Sequence, residues 1–192
     1  MRILRNPTRT SPCVLVLGMF DGVHRGHQQL LMTGNALAEA EGIPLRVCTF
    51  SPHPLAVLCP DKAPKMLTTL PERARFMLGY GVDSLCVFSF TRAMADEAPE
   101  DFVRRMVRTF QPRHVVVGFN NTFGQGGRGD GALLTAMGRE LGFSTHIVPA
   151  VELDGAPVSS TRIRGLLAQG DIHGATRLLG HAYTLSGRVM DG

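Results

Sequence analysis

Apolar positions alternate between two periods along the chain. Cys13 to Leu17 (CVLVL) is an unbroken apolar run stopping at Gly18, which predicts a strand buried on both faces. Residues 27–41 carry Leu30, Leu31, Leu37 and Ala38 at helical spacing and end at Gly42, which predicts a helix with a glycine stop. The same alternation continues. Strands are predicted at 44–50, 84–90, 114–117 and 144–148. Helices are predicted at 70–80, opened by Thr69, Pro71 and Glu72, and at 97–110, with Phe102, Val103, Met106 and Phe110 on one face. Further helices fall at 130–141, 160–168 and 172–179, and the alternating residues 182–189 predict a last strand.

Strands interleaved with helices imply an α/β fold, a five-stranded, mostly parallel sheet with helices on both faces. Its crossovers are right-handed, and ligands bind beyond the carboxyl ends of the strands, where strand order reverses. The loops after each strand are therefore where chemistry is expected: 18–27, 51–54, the segment after Phe90, 118–127 and 149–164.

Composition narrows the classes. The chain has 192 residues, 44% of them hydrophobic, enough for a core without disulfide or metal staples. No apolar stretch reaches the ~18 residues of a membrane helix, and the first twelve residues carry no secretory signal, so the expectation is a cytoplasmic protein without a membrane partner. A net charge of +4 is too small to argue for nucleic acid. Cys13, Cys48, Cys59 and Cys86 have no metal-site spacing, and three lie in apolar runs, so reduced, mostly buried thiols and no metal site are expected.

The first loop carries the chemistry. Gly18-Met19-Phe20-Asp21-Gly22-Val23-His24-Arg25-Gly26-His27 runs from a buried strand into a helix. A helix N-terminus offers unpaired N–H groups to an anion. Gly18 is expected to turn the chain and Gly26 to let a ligand approach the backbone. His24 and His27, three apart, would share one face of the first turn and donate to a phosphate as charge builds up in phosphoryl transfer. No lysine stands in the loop, so it is not a Walker P-loop. Near the other end, Ser160 and Thr161 open a predicted helix, with Arg164 one turn on.

These segments resemble a known family. GMFDGVHRGH is similar to the HxGH signature of the nucleotidyltransferase superfamily, and residues 159–164 (SSTRIR) to its SSTxIR segment. Residues 49–54 (TFSPHP), 118–124 (GFNNTFG) and 178–183 (LLGHAY) narrow the resemblance to the FMN adenylyltransferase module of bacterial bifunctional FAD synthetases. The resemblance implies a Rossmann-like nucleotidyltransferase fold that transfers AMP from MgATP to FMN, giving FAD and pyrophosphate. It implies that His24, His27, Ser160, Thr161 and Arg164 act on the ATP phosphates, while Gly18, Met19, Phe20, Asp21, Gly22 and Gly26 shape the loop around the nucleotide. The flavin would meet Phe50, Ser51, Pro52, His53, Pro54, Asn120 and Phe123. Arg162 is expected to point away, and His114, His146, His173 and His181 to be structural.

The resemblance implies two regions: an adenylyltransferase domain over 1–180, and at 181–192 the junction and first strand of a riboflavin kinase domain whose remainder would not fit. Kinase activity is thus not expected. Asn121 departs from the aromatic residue usual at its position, which bears on flavin binding. The rival expectations are a non-catalytic nucleotide- or flavin-binding module and a nucleotidyltransferase with another phosphorylated acceptor.

Overall fold

The computed structural model describes every residue except 188, 189, 191 and 192. Its frame is set by strands β1 (Arg2–Arg5), β2 (Cys13–Leu17), β3 (Leu45–Ser51), β4 (Ser84–Ser89), β5 (Pro112–Gly118) and β6 (Ser144–Val148). They form one six-stranded sheet in the order β1-β4-β3-β2-β5-β6, every pairing parallel. The sheet thus has six strands, not the five expected. The extra one, RILR, has only two apolar residues and sits at an edge, paired from Arg2↔Ser84 to Arg5↔Val87, so a hydrophobic pattern does not announce it.

Helices cover both faces: α1 (Arg25–Glu41), α2 (Pro54–Leu58), α3 (Leu70–Met77), α4 (Arg92–Ala95), α5 (Pro99–Phe110), α6 (Gly131–Leu141), α7 (Ser160–Ala168) and α8 (Ile172–Leu179). Between β6 and α7 a short antiparallel pair, β7 (Glu152–Leu153) and β8 (Ala156–Pro157), makes a hairpin. The short α2, α4 and this hairpin have too few residues to show a period.

The wholly buried β2 shows how the sheet divides the core. Val14 and Val16 pack on the side of α1 with Leu31, Leu45 and Val116, while Cys13, Leu15 and Leu17 pack on the other side with Phe102, Val103 and Phe110. Gly34 lets α1 lie close, since a Cβ there would sit 2.7 Å from Val16 and 2.8 Å from Leu45. Leu67, Val158, Ile163, Leu178 and Leu179 form a third cluster under α7 and α8. Cys13, Cys48 and Cys86 are buried and Cys59 exposed, all free thiols. Burial pushes Cys13 up to about 12 and Cys86 up to about 11, so neither is a ready nucleophile.

No helix among the described residues is long and apolar enough to cross a membrane. The strand expected at 182–189 does not form over 182–187, which run irregularly, and residues 188 and 189 lie outside the described part.

Candidate active site

The order β4-β3-β2 runs one way from β2 and β5-β6 the other, so the topological switch lies between β2 and β5. A cavity of about 370 Å³ opens there, beyond Leu17 of β2 and the Gly18 that follows it, Gly118 of β5 and Val148 of β6. Two helix N-termini converge on it. His24, Gly26 and His27 of α1 line one side, and Ser159, Ser160 and Thr161 of α7 line the other. Each brings unpaired backbone N–H groups and a partial positive charge.

His24 is the N-cap of α1 rather than part of its first turn. Its Nδ1 accepts from the His27 backbone N–H at 3.3 Å. That nitrogen therefore carries no proton, and the proton of the neutral ring sits on Nε2 as a donor. Burial lowers the His24 pKa to about 4, which keeps the ring in this form. The His27 ring stacks on it with centroids 3.6 Å apart, and its Nδ1 is buried without a partner. Burial first, then His24 and Arg73, hold His27 well below the ordinary histidine value. Both rings are thus neutral donors or acceptors, not standing cations.

The turn between β2 and α1 is strained. Phe20, Gly22 and Val23 all have positive φ, at 53°, 81° and 40°. For the β-branched Val23 that is a costly conformation. It persists because the surroundings dictate it: Phe20 and Val23 are fully buried, Gly22 N–H donates to Thr68 Oγ1 and Val23 N–H to Phe20 O. The sharp course runs through these three residues, where Gly18 was expected to turn the chain. Gly26 lines the cavity and also leaves room for the His24 ring, which an added Cβ would approach to 3.2 Å.

Asp21 ties the site together. Its buried carboxylate accepts from Leu67 N–H, Thr68 N–H and Thr68 Oγ1, and pairs with Arg164 Nη1 at 2.9 Å. Ser160 Oγ donates to the Asp21 carbonyl at 2.9 Å, so its one proton is already engaged and is not aimed at a ligand. Thr161 Oγ1 is exposed at the cavity and accepts from Arg164 Nη2. Arg162 points away, donating to the Leu153 and Ala156 carbonyls of the hairpin.

The cavity brings together Gly18, Met19, Asp21, His24, Gly26, His27, His53, Asn120, Ser160, Thr161 and Arg164. It does not bring in Phe20 or Gly22, which lie behind the loop, nor Phe50, Ser51, Pro52, Pro54 and Phe123. Phe50 meets Phe90 edge-on at 5.6 Å, and Phe123 lies against Phe102 at 5.1 Å, both packed on the core. His53 caps α2, accepting from Leu55 N–H through Nδ1, which leaves Nε2 to donate. Asn121, the departure noted above, is at the cavity wall beside Asn120.

Two residues escaped the sequence. Arg73 is buried behind the loop, where Nη1 donates to the Met19 carbonyl at 3.0 Å and Nε has no partner. The signal was present: a guanidinium stands on the buried stripe of α3 with Ala74 and Met77. Phe119 lines the cavity yet is 54% exposed, and nothing in the pattern marked it. His114 and His146 bond to one another at 3.0 Å, with His114 also on Glu41 at 2.8 Å, away from the cavity.

Among the described residues no three His, Cys, Asp or Glu side chains gather as a metal site. Asp21, the one carboxylate at the cavity among the described residues, is already bound to Arg164 and two backbone amides, so the residues described there do not suit a protein-held magnesium ion.

A parallel sheet with paired helix N-termini at its switch point defines an α/β domain of the nucleotidyltransferase type. The chain belongs to the FAD synthetase family, whose model matches residues 6–162. A bifunctional riboflavin kinase/FMN adenylyltransferase of Escherichia coli K12 is 37% identical over 94% of this chain and 58% of its own length. A FAD synthetase of Listeria monocytogenes is 36% identical over 93% of this chain and 73% of that protein. A Streptococcus pneumoniae crystal structure described as a macrolide-efflux protein superposes with a TM-score of 0.86 at 29% identity, over 95% of this chain and 61% of that one. The chain thus spans little more than half the length of the bifunctional relative.

Proposed function

We propose that this domain transfers AMP from MgATP to FMN, releasing pyrophosphate and forming FAD. The observation that carries the proposal is the convergence of two helix N-termini on one cavity at the sheet's switch point, with His24, whose Nε2 carries the ring proton, in its lining. Family membership supplies the reaction.

A phosphate oxygen of FMN attacks the α-phosphorus of ATP. A new P–O bond forms, the bond to the bridging oxygen of the β-phosphate breaks, and pyrophosphate leaves. The FMN phosphate is ionised at neutral pH, so no protein base is required. The protein's work is to position the reactants and stabilise the charge on the leaving group. Backbone N–H groups of α1 and α7 and the His24 Nε2–H donate to the phosphates, and the remaining Arg164 donors add a fixed positive charge. Magnesium enters with ATP as part of the substrate. Phe119 is placed to cover a flat ring, adenine or isoalloxazine.

The test is direct. The chain, incubated with FMN and MgATP, forms FAD resolved by chromatography. His27→Ala, which removes the cavity-lining ring stacked on His24, lowers kcat about a hundredfold with FMN affinity within about twofold. Flavin or ATP binding without any FAD would replace this proposal with a binding module.

A further inference from the structure

The segment after α8 returns to the nucleotide loop. Two side chains join α1 to α8 itself, and a third, His181, joins the segment after it to the loop. Arg25 Nε donates to the Arg177 carbonyl at 2.8 Å. Gln28 Nε2 donates to both Val23 O and Leu179 O, at 2.9 and 2.7 Å, and so bridges the loop to the end of α8. His181 Nε2 lies 3.0 Å from the Gly22 carbonyl and Nδ1 faces a second carbonyl; since a neutral ring has one N–H, it donates to one of the two, and in the Nε2–H tautomer that one is Gly22. The His181 ring is itself held flat against Phe76 of α3, with centroids 3.9 Å apart and planes at 23°. Its Nδ1 faces the Ala182 carbonyl at 3.0 Å.

Gly22 is the centre of the strained turn, between Asp21 and His24. It is packed so closely that a Cβ would meet Leu67 at 2.9 Å and Leu179 at 3.2 Å. Its N–H is held by Thr68 and its carbonyl by His181, so the peptide planes before and after Gly22 are each held by a side chain, the one leading into Val23 by His181. Turning it would swing Val23 and His24 and misplace the Nε2 donor. None of the Arg25, Gln28 and His181 side chains lines the cavity.

We propose that His181 is a positioning residue for ATP: anchored on Phe76, it holds the Gly22 carbonyl and thereby sets the loop that aims His24 at the phosphates. This rests on the assignment of that loop to ATP. It makes the start of the segment following α8 part of the nucleotide site's support.

The experiment separates the donor from the stack. His181→Phe keeps a flat ring on Phe76 and removes the donor. His181→Arg keeps a planar group that stacks on a ring and restores donors. MgATP affinity is measured by titration calorimetry without FMN, beside kcat, both KM values and melting temperature. His181→Phe is expected to weaken MgATP binding about fivefold, the loss of one hydrogen bond, with FMN KM and melting temperature little changed. His181→Arg returns MgATP affinity to within about twofold of the parent. Unchanged MgATP affinity in His181→Phe, a loss that merely follows melting temperature, or failure of arginine to restore it would overturn the proposal. A parent chain that binds MgATP but makes no FAD counts against the transfer reaction alone, and one that binds no MgATP overturns both.

Discussion

The loop from Gly18 to His27 and the loop from Phe50 to Pro54 leave neighbouring parallel strands at the same end of the sheet. In the first, polar groups have distant partners: Asp21 on Leu67, Thr68 and Arg164, the Gly22 N–H on Thr68 and its carbonyl on His181, the Met19 carbonyl on Thr49 and Arg73. In the second, His53 caps its own helix, Phe50 packs on Phe90, and only His53 reaches the cavity. A site that must hold strained backbone and buried donors in place needs partners from many parts of the chain. A wall that meets its ligand with a ring or an amide does not, and is free to be assembled from shorter pieces.

The largest expected effect tests this contrast at Asp21. Asp21→Ala leaves the buried end of Arg164 and the Leu67 and Thr68 amides without their acceptor. It should cost roughly 3–5 kcal/mol of stability by urea unfolding. Ser51→Ala, on the other loop, should stay within about 0.5 kcal/mol. Equal losses at the two positions would show that the loops are not held differently.

Next comes pH. The folded chain holds His24 at a pKa of about 4, against 6.5 for the free side chain. Between these values the unfolded chain binds a proton that the folded chain refuses. The contribution is therefore complete above about pH 6.5 and is lost as pH falls toward 4, to a total of roughly 3 kcal/mol. His24→Asn keeps an N-cap acceptor without a titrating ring and should flatten that slope. If urea unfolding at pH 7, 5.5 and 4.5 gives the same slope for both proteins, His24 is not the neutral, buried cap described here.

The contrast also explains what could be read in advance. The HxGH loop was legible because strand, turn and helix start are contiguous, and Ser159 to Arg164 because a hydroxyl cluster precedes a helix. The direction of a side chain was not. Ser160 turns its proton to the Asp21 carbonyl, 139 residues away in sequence, a partner that only the tertiary fold supplies. Phe50 and Phe123 fit the apolar pattern equally well as core or as cavity wall. The loop's course decides, and a bridge between Phe123 and Gly129 folds the second ring back onto Phe102. Arg73 was visible in principle, as a charge on an apolar stripe, but its target, the Met19 carbonyl, was not.

The smallest expected effect is the sharpest, because it compares two phenylalanines four residues apart. Phe119 is at the cavity and mostly exposed, and Phe123 is packed against Phe102. If Phe119 covers a substrate ring, Phe119→Ala raises the KM of that one substrate by about threefold to tenfold, the worth of a single ring stack, and leaves melting temperature unchanged. Phe123→Ala does the reverse, lowering melting temperature with little change in either KM. The substrate whose KM responds, ATP or FMN, identifies which ring lies on Phe119. If neither responds while Phe123→Ala weakens flavin binding without loss of stability, the aromatic wall of the proposed flavin site is Phe123, reached by a movement of residues 118–127, and the contrast between the tightly partnered 18–27 loop and the loosely held 50–54 loop must be redrawn.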